Sequence, residues 1–237
     1  MFVVAALAAC FILIYKSGKI QRSAEFYSSE LSQSIVDTFP DSIPAFTGEA
    51  AIELNGNIPN FTAFDCEQIT GENYSSLDYL GRCGTAIAMI DRSMMPQEER
   101  QEIGDIRPSG WKQNKYPGIV DSQPPYLYNR CHLIAFALTG QNTNEKNLIT
   151  GTRYLNVELM LPYEKQILRY LDLSDHHVLY RVSPLFAGAE QLARGVELEA
   201  YSVEDDGKGV CFHVFLYNIQ PGIEINYATG DNWEEEG

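Results

Sequence analysis

Three successive strand-like segments in the C-terminal third of the chain constrain the fold more than any other feature. The segments span residues 177–183, 193–202 and 209–218, and a Glu-Asp-Asp-Gly turn at residues 204–207 separates the last two. Apolar, β-branched and aromatic residues bounded by turn residues are typical of strands, and short connections join antiparallel neighbours. The sequence therefore predicts an antiparallel sheet.

Four shorter patterns add strands and helices to this sheet. Residues 51–54 alternate as in a strand, and residues 85–90 form an apolar run typical of a buried strand. Residues 96–100 resemble the start of a short helix. Residues 152–171 have helical spacing, which Pro162 is expected to interrupt. We predict an α+β fold class, with one mixed domain around a central antiparallel sheet.

The N-terminus differs in composition from the rest of the chain. Residues 1–15 are almost wholly apolar and precede three basic residues, so we predict a signal or anchor with a basic flank over residues 1–22. The apolar run is shorter than the ~20 residues of a membrane-spanning helix. Residues 7–10 also look like a lipobox, but an uncleaved or truncated signal-anchor is our leading interpretation. This predicts an extracellular or cell-surface protein that is anchored or secreted through this segment.

The remaining chain is predicted to contain a spacer and one globular domain. Residues 23–49 are polar with a short helical pattern, and the domain spans residues 50–237. The five cysteines form no CxxC pair, which leaves a cysteine zinc site unsupported. We favour free thiols, with a disulfide between Cys66 and Cys83 as the alternative.

Charge is unevenly distributed along the chain. The net charge is −15, whereas residues 107–170 contain eight basic and four acidic residues. A strongly acidic protein does not coat nucleic acid tightly. A locally basic cleft on an acidic body instead suits an enzyme that binds and then releases an anionic product.

Two neighbouring segments contain the residues best suited to catalysis and to metal or phosphate binding. Residues 128–134 read Tyr-Asn-Arg-Cys-His-Leu-Ile, and residues 147–156 begin and end with asparagine. A histidine with an unperturbed pKa of ~6.5 is a suitable base near neutrality. An arginine grips phosphate oxygens, and an amide oxygen is a ligand that Mg²⁺ accepts.

These segments, together with Asn144–Thr150, the upstream Pro108–Trp111 and the final Tyr227–Asp231, resemble the DNA/RNA non-specific endonuclease family. More closely, they resemble the DNA-entry nuclease branch of the ββα-metal (His-Me finger) enzymes, and the similarity spans about residues 50–231. The resemblance implies a ββα-metal finger motif and a Mg²⁺-dependent endonuclease that cleaves DNA, and RNA as a second substrate, with little sequence specificity. Mn²⁺ is expected to substitute for Mg²⁺.

The family motif is usually Asp-Arg-Gly-His, and this chain departs from it at two positions. Asn129 replaces the aspartate and Cys131 replaces the glycine. The histidine and arginine positions match. The lost carboxylate therefore affects the expected geometry around the metal more than the identity of the base.

The resemblance implies a role for each polar residue of the two segments. His132 is the expected general base, and activity should fall below about pH 6 as it becomes protonated. Asn156 is the expected direct metal ligand. Asn147 is expected to support the base or the substrate, with a turn residue as the alternative. Glu164 is expected to hydrogen-bond water around the metal, with a surface ion pair as the alternative.

Arginines near the motif are the expected phosphate contacts. Arg130 is expected to act in catalysis and to grip phosphate, and Arg153 and Arg107 are expected to bind phosphate, with Arg100 as a further candidate.

Two other functions are compatible with the sequence. One is a membrane-tethered nucleic-acid-binding or uptake module with a decayed catalytic site, which would bind DNA without metal and without turnover. The other is a secreted nuclease toxin, which requires a cognate inhibitor.

Overall fold

A computed structural model describes residues 43–236, and these residues fold around a six-stranded antiparallel sheet. In chain order the strands are β1 (Ala51–Glu53), β2 (Glu72–Tyr74), β3 (Ala86–Ile90), β4 (Tyr128–His132), β5 (Leu148–Thr152), β6 (Val178–Leu185), β7 (Gly195–Ser202), β8 (Cys211–Tyr217), β9 (Ile223–Ile225) and β10 (Asn232–Glu234). The six-stranded sheet has the order β1-β8-β7-β6-β3-β2. Strands β4 and β5 form a separate hairpin, and β9 and β10 form another.

The helices are few and lie mostly near the β4–β5 hairpin. The α-helices are α1 (Ala63–Gln68), α2 (Phe136–Thr139) and α3 (Leu161–Leu173), a π-helical segment covers Leu155–Met160, and 3₁₀ turns cover Asn55–Asn57, Arg92–Met94 and Glu145–Asn147. The predicted α+β class is confirmed.

The three long strands β6, β7 and β8 form the predicted meander. Their registers run without a break from Val178 opposite Ser202 to Leu185 opposite Gly195, and from there to Tyr217. Both faces of these strands are largely buried. The segment that includes Ile43 packs on one face, and helix α3 packs on the other. The strands predicted at residues 51–54 and 85–90 are also present as β1 and β3.

Helix α3 fixes the hairpin against the sheet through its apolar side. Ile167 and Leu171 are fully buried in the core cluster. Tyr163 contacts Phe212 of β8, with 4.9 Å between ring centroids. Truncating a side chain such as Ile167 to alanine typically costs about 2–5 kcal/mol. The helix that follows β5 is therefore held rigidly, and so are the polar residues that it carries.

The side chain of Asn218 joins the hairpin to the large sheet. Its Oδ1 accepts a hydrogen bond from the backbone N–H of Thr152 at 2.9 Å. Its Nδ2 donates to the carbonyl oxygens of Thr150 at 3.1 Å and Ala193 at 3.0 Å. Asn218 is fully buried, so all three bonds are shielded from water and fix the position of β5.

Two local expectations were wrong. Pro162 does not interrupt the helix, because the turn before it is π-helical and Pro162 lies in the first turn of α3, where its missing N–H is tolerated. The short helix expected at residues 96–100 is absent. Met95 is extended because it precedes Pro96, and the nearby 3₁₀ turn ends at Met94.

The four cysteines within the described range are free, and Cys83 and Cys131 are buried. No helix in residues 43–236 is long and apolar enough to cross a membrane. The signal or anchor expected at residues 1–22, and the helical part of the spacer, lie outside the described residues.

Candidate active site

An open cleft of about 380 Å³ lies between the β4–β5 hairpin, the start of the following helix and the segments before the hairpin. Its lining residues are Arg100, Ile103, Trp111, Gln113, Ser122, Gln123, Pro124, Tyr126, Tyr128, Asn129, Arg130, Arg153 and Asn156. Three of them are arginines, and among these residues there is no aspartate or glutamate. On a chain of net charge −15, such a cleft attracts anions.

Asn156 brings a free amide group to this cleft. It belongs to the π-helical segment, a geometry that is rare and often found at functional sites. Asn156 lines the cleft, and its side chain forms no hydrogen bond with another residue in the range 43–236. Half-exposed Asn129 lines the same cleft. A free amide oxygen fits a hard divalent cation that keeps most of its water.

His132 ends strand β4 and is only 6% exposed. Its Nε2 lies 3.1 Å from the carbonyl oxygen of Asn142, and its Nδ1 lies 3.2 Å from Nη2 of Arg100. A carbonyl only accepts and a guanidinium only donates hydrogen bonds. The proton of the neutral imidazole is therefore on Nε2, and the basic lone pair is on Nδ1.

Burial, followed by the positive charge of Arg100, lowers the pKa of His132 to about 4. The sequence led us to expect a base that becomes protonated below about pH 6. The structure corrects this expectation to a lower pH. The sequence shows neither the burial of the ring nor the guanidinium beside it, and both lower the pKa.

Glu164 lies under the helix rather than on its surface. It is 8% exposed and forms no ion pair or hydrogen bond with another described residue. Burial raises the pKa of its carboxyl group to about 7, against the lowering influence of Arg100. The turn that contains Asn156 is π-helical, so Asn156 and Glu164 are not related by ideal α-helical geometry. A buried carboxylate without a partner is a common mark of a functional site.

The arginines divide into three groups. Arg153 lines the cleft, and its side chain has no ion-pair partner among residues 43–236. Arg130 lines the cleft too, but its Nε and Nη2 donate to the carbonyls of Ile106 and Gly104, and its guanidinium lies 4.4 Å from the ring centroid of Trp111. Arg107 is exposed and does not line the cleft. Its positive charge nevertheless acts on Arg130, where, after burial, it lowers the guanidinium pKa. The structure therefore places Arg107 near Arg130 but outside the cleft lining.

Asn147 faces away from the cleft and holds the chain after His132. Its Oδ1 accepts from the backbone N–H of Ile134 at 2.8 Å, and its Nδ2 donates to the carbonyl of Ile134 at 2.9 Å. Both polar atoms are used and the residue is fully buried. This geometry supports a positioning role in which Asn147 acts on the base through the backbone.

Replacing Asn147 with alanine should destabilise the fold. The Asn147→Ala variant leaves the buried N–H and C=O of Ile134 without partners, and we expect a loss of about 2–4 kcal/mol in the free energy of unfolding. Urea denaturation measures this loss. The exposed Asn73→Ala serves as control and should change stability by less than about 0.5 kcal/mol. An Asn147→Ala variant as stable as this control would contradict the positioning role.

Two contributors to the site were not recognisable from the sequence. Arg100 was considered only as a phosphate contact, yet it covers the basic nitrogen of His132. The group of Asn142 that orients His132 is a backbone carbonyl, which every residue type has, so the sequence does not reveal it. The side chain of Asn142 also donates from Nδ2 to the carbonyl of Gln101 at 3.0 Å. Asn142 thus connects the base to the loop that carries Arg100.

A second polar cluster lies in the large sheet, away from the cleft. Within residues 43–236, Glu197, Glu199 and His213 form the one group of three potential metal ligands within 4.8 Å of one another. Nε2 of His213 lies 2.6 Å from Glu197, and its Nδ1 lies 3.1 Å from the carbonyl of Ile58. Arg181 pairs with Glu199. Both ring nitrogens face acceptors, so this is a compensated ionic network with a cationic His213.

This network predicts a pH dependence of stability. Burial alone would lower the pKa of His213, but the hydrogen bond that it donates to Glu197 and the charges of Glu199 and Glu197 outweigh it, and the pKa is raised above its ordinary value. The stabilisation is complete below the unfolded pKa of ~6.5 and is lost as pH rises through the higher folded pKa. Unfolding free energies should therefore decline above about pH 6.5. His213→Gln should flatten this decline. An unchanged slope in that variant would show that His213 is not its cause.

Comparison with known proteins agrees with this geometry. The sequence pattern of the DNA/RNA non-specific endonuclease family matches residues 65–204. A deoxyribonuclease from Streptococcus dysgalactiae subsp. equisimilis is 36% identical over 110 residues, which cover 44% of this chain and 32% of that protein. The chain thus spans about a third of the length of this relative.

Solved structures show the same fold. NucA from Streptococcus agalactiae, without metal, has a TM-score of 0.68 at 26% identity, covering 86% of this chain and 95% of NucA. A magnesium-bound structure of NucA has a TM-score of 0.69 at 24% identity, with 86% and 96% coverage. The zinc-bound Sda1 nuclease has a TM-score of 0.59 at 27% identity, with 70% and 83% coverage. With the β4–β5 hairpin and its following helix forming a ββα unit, the chain belongs to the DNA/RNA non-specific endonuclease family.

Proposed function

We propose that this chain is a Mg²⁺-dependent endonuclease that hydrolyses phosphodiester bonds of DNA, and of RNA as a second substrate, with little sequence specificity. The observation that carries the proposal is the arginine-lined cleft, which contains the free amide of Asn156 and whose Arg100 contacts Nδ1 of the buried His132. Arginines recognise phosphate rather than base sequence. The deoxyribonuclease relative supports DNA as the main substrate.

His132 is the proposed general base. Its Nε2–H is held by the carbonyl of Asn142, so Nδ1 is the atom that takes the proton from an attacking water. In the structure Arg100 donates to that atom. Arg100 must therefore turn away before proton transfer, and a substrate phosphate in the cleft offers its guanidinium a stronger acceptor.

Asn156 is the residue that would hold the cation, with Asn129 in the usual aspartate position beside it. The free amide of Asn156 and the unpaired buried Glu164 on the same helix fit a hard cation. When bound, the cation supplies positive charge for the phosphate oxygens and the leaving oxygen. NucA has been crystallised with magnesium and Sda1 with zinc, and we expect Mn²⁺ to substitute here.

Arg153 is the proposed phosphate contact of the free cleft, because no other described residue occupies its guanidinium. Arg130 has a different main task. Its bonds to the carbonyls of Gly104 and Ile106 hold the loop that also carries Arg100. It thereby shapes the cleft wall.

The acid limit of activity should depend on Arg100. Because the neutral imidazole is the active form and the pKa of His132 is about 4, we expect kcat/KM to persist well below pH 6. Arg100→Ala removes the adjacent charge, so the midpoint of the acid limb should rise towards ~6.5. Arg92→Ala, an exposed arginine outside the cleft, is the matched control. Equal midpoints in wild type and Arg100→Ala would show that Arg100 does not act on the base.

Cleavage of unrelated substrates tests the proposed specificity. The intact chain is incubated in Mg²⁺ with two plasmids of unrelated sequence and with a structured RNA. We expect both plasmids to yield similar unresolved fragments at similar rates. Discrete bands that differ between the plasmids would contradict a phosphate-based mechanism, and DNA binding without turnover would favour the binding-module alternative.

The organisation of the whole chain completes the proposal. Residues 50–237 form the endonuclease domain, residues 23–49 a polar spacer, and residues 1–22 direct the protein to the cell surface or the exterior. The apolar composition of residues 1–15 supports this assignment. Localisation of a tagged full-length chain by cell fractionation tests it.

A further inference from the structure

Tyr126 is the aromatic residue of the cleft whose ring is available to a ligand. Three aromatic side chains line the cleft. Tyr128 is 1% exposed and its hydroxyl donates to the carbonyl of Gly230 at 3.1 Å. Trp111 is half-buried, and the guanidinium of Arg130 lies over its ring. Tyr126, in contrast, is 38% exposed.

The ring of Tyr126 is held in place from outside the cleft. Lys115 lies with its Nζ 4.9 Å from the ring centroid, and Lys115 is not one of the cleft-lining residues. The two residues also pair through an isolated backbone bridge, and the N–H of Tyr126 donates to the carbonyl of Pro124 at 2.8 Å. The hydroxyl of Tyr126 forms no hydrogen bond within the described part of the chain. The ring is thus supported on one face and borders the cleft.

A flat aromatic ring beside phosphate-binding groups recognises one kind of chemistry. Base–aromatic stacking contributes to single-strand binding and tolerates any sequence, because every base has a π-face. The cleft offers Arg153 for the phosphate, Asn156 for the cation and Tyr126 for a neighbouring base. In a duplex each base is stacked and paired, so a nucleotide must leave the helix before it can stack on a protein ring.

We propose that Tyr126 is a base-stacking platform next to the scissile phosphate, and that the cleft prefers unpaired nucleotides over duplex DNA. This inference rests on the proposed nuclease function and specifies its substrate class as single-stranded or locally unpaired nucleic acid. Loss of the ring should lower kcat/KM for single-strand cleavage by about tenfold, within the range seen when a stacking residue is removed. Duplex substrate, gripped mainly through its phosphates, should be affected much less.

Cleavage of matched oligonucleotides tests this proposal. Single-stranded and duplex forms of one mixed sequence are cleaved in Mg²⁺ by wild type, Tyr126→Phe, Tyr126→Ala and the control Tyr79→Ala. Tyr79 is 89% exposed and lies outside the cleft. We expect kcat/KM for the single strand to fall about tenfold in Tyr126→Ala. Tyr126→Phe and Tyr79→Ala should retain the wild-type ratio of single-strand to duplex cleavage.

A spectroscopic readout separates stacking from a general loss of structure. A single-stranded oligonucleotide with 2-aminopurine is titrated with each protein in EDTA, and stacking on Tyr126 should quench its fluorescence for wild type and Tyr126→Phe only. Equal quenching and an unchanged single-strand to duplex ratio in Tyr126→Ala would overturn the stacking platform while leaving the nuclease intact. Absence of cleavage of both substrates by folded wild type would instead overturn the nuclease function and this inference with it.

Discussion

Asn156→Ala should abolish cleavage while leaving the fold intact. Asn156 supplies the one free amide oxygen that we assign to the metal, and it forms no hydrogen bond within residues 43–236 that the substitution would break. Loss of a supporting group around a metal typically costs 10–100-fold in activity or affinity, so loss of the direct ligand should cost at least about 100-fold. The rate of plasmid nicking at saturating Mg²⁺ measures the effect.

Two comparisons show whether the lost activity of Asn156→Ala comes from the missing oxygen ligand or from a damaged fold. Asn156→Asp keeps an oxygen ligand and should retain far more activity than Asn156→Ala. The unfolding free energy of Asn156→Ala should stay within about 0.5 kcal/mol of wild type, as expected for a residue without internal partners. Nicking by a folded Asn156→Ala variant at near wild-type rate would exclude Asn156 as the metal ligand.

His132→Ala should have the second large effect. General-base catalysis contributes about 10²–10⁴-fold, and His132 contacts Arg100, which lines the cleft. We expect a loss of this size in kcat, measured under single-turnover conditions so that product release does not mask it. Binding of DNA in EDTA should change little, because arginines provide the phosphate contacts.

His177→Ala is the matched control for this variant. His177 is half-exposed, contacts Glu204 and lies outside the cleft, so its removal should leave kcat unchanged. If His132→Ala and His177→Ala cleaved DNA equally well, another group would have to be the base.

The regular part of the fold was predictable because its signals are local. Strand-like residue patterns bounded by turn residues identified β6, β7 and β8, and an apolar run identified β3. The π-helical turn at Leu155–Met160 was not predictable, because its residues have ordinary helical spacing and its geometry depends on packing between β5 and α3. That turn determines how Asn156 reaches the cleft.

The candidate site was predictable only as a set of residue types. The resemblance predicts His132 as the base and Asn156 as the metal ligand, but long-range contacts decide what each polar group does. Both polar side-chain atoms of Asn147 hydrogen-bond to the backbone of Ile134. Arg130 donates two hydrogen bonds to backbone carbonyls. Neither use follows from spacing, because the partners are main-chain atoms whose positions depend on the completed fold.

The most direct test of the central claim is a nicking time course on supercoiled plasmid with the intact chain. Mg²⁺ is added first, EDTA in excess second, and Mg²⁺ in excess of the EDTA last. We predict that cleavage starts with the first addition, stops with the second and resumes with the third. Cleavage that continues in EDTA, or a folded chain that never cleaves, would contradict a metal-dependent nuclease.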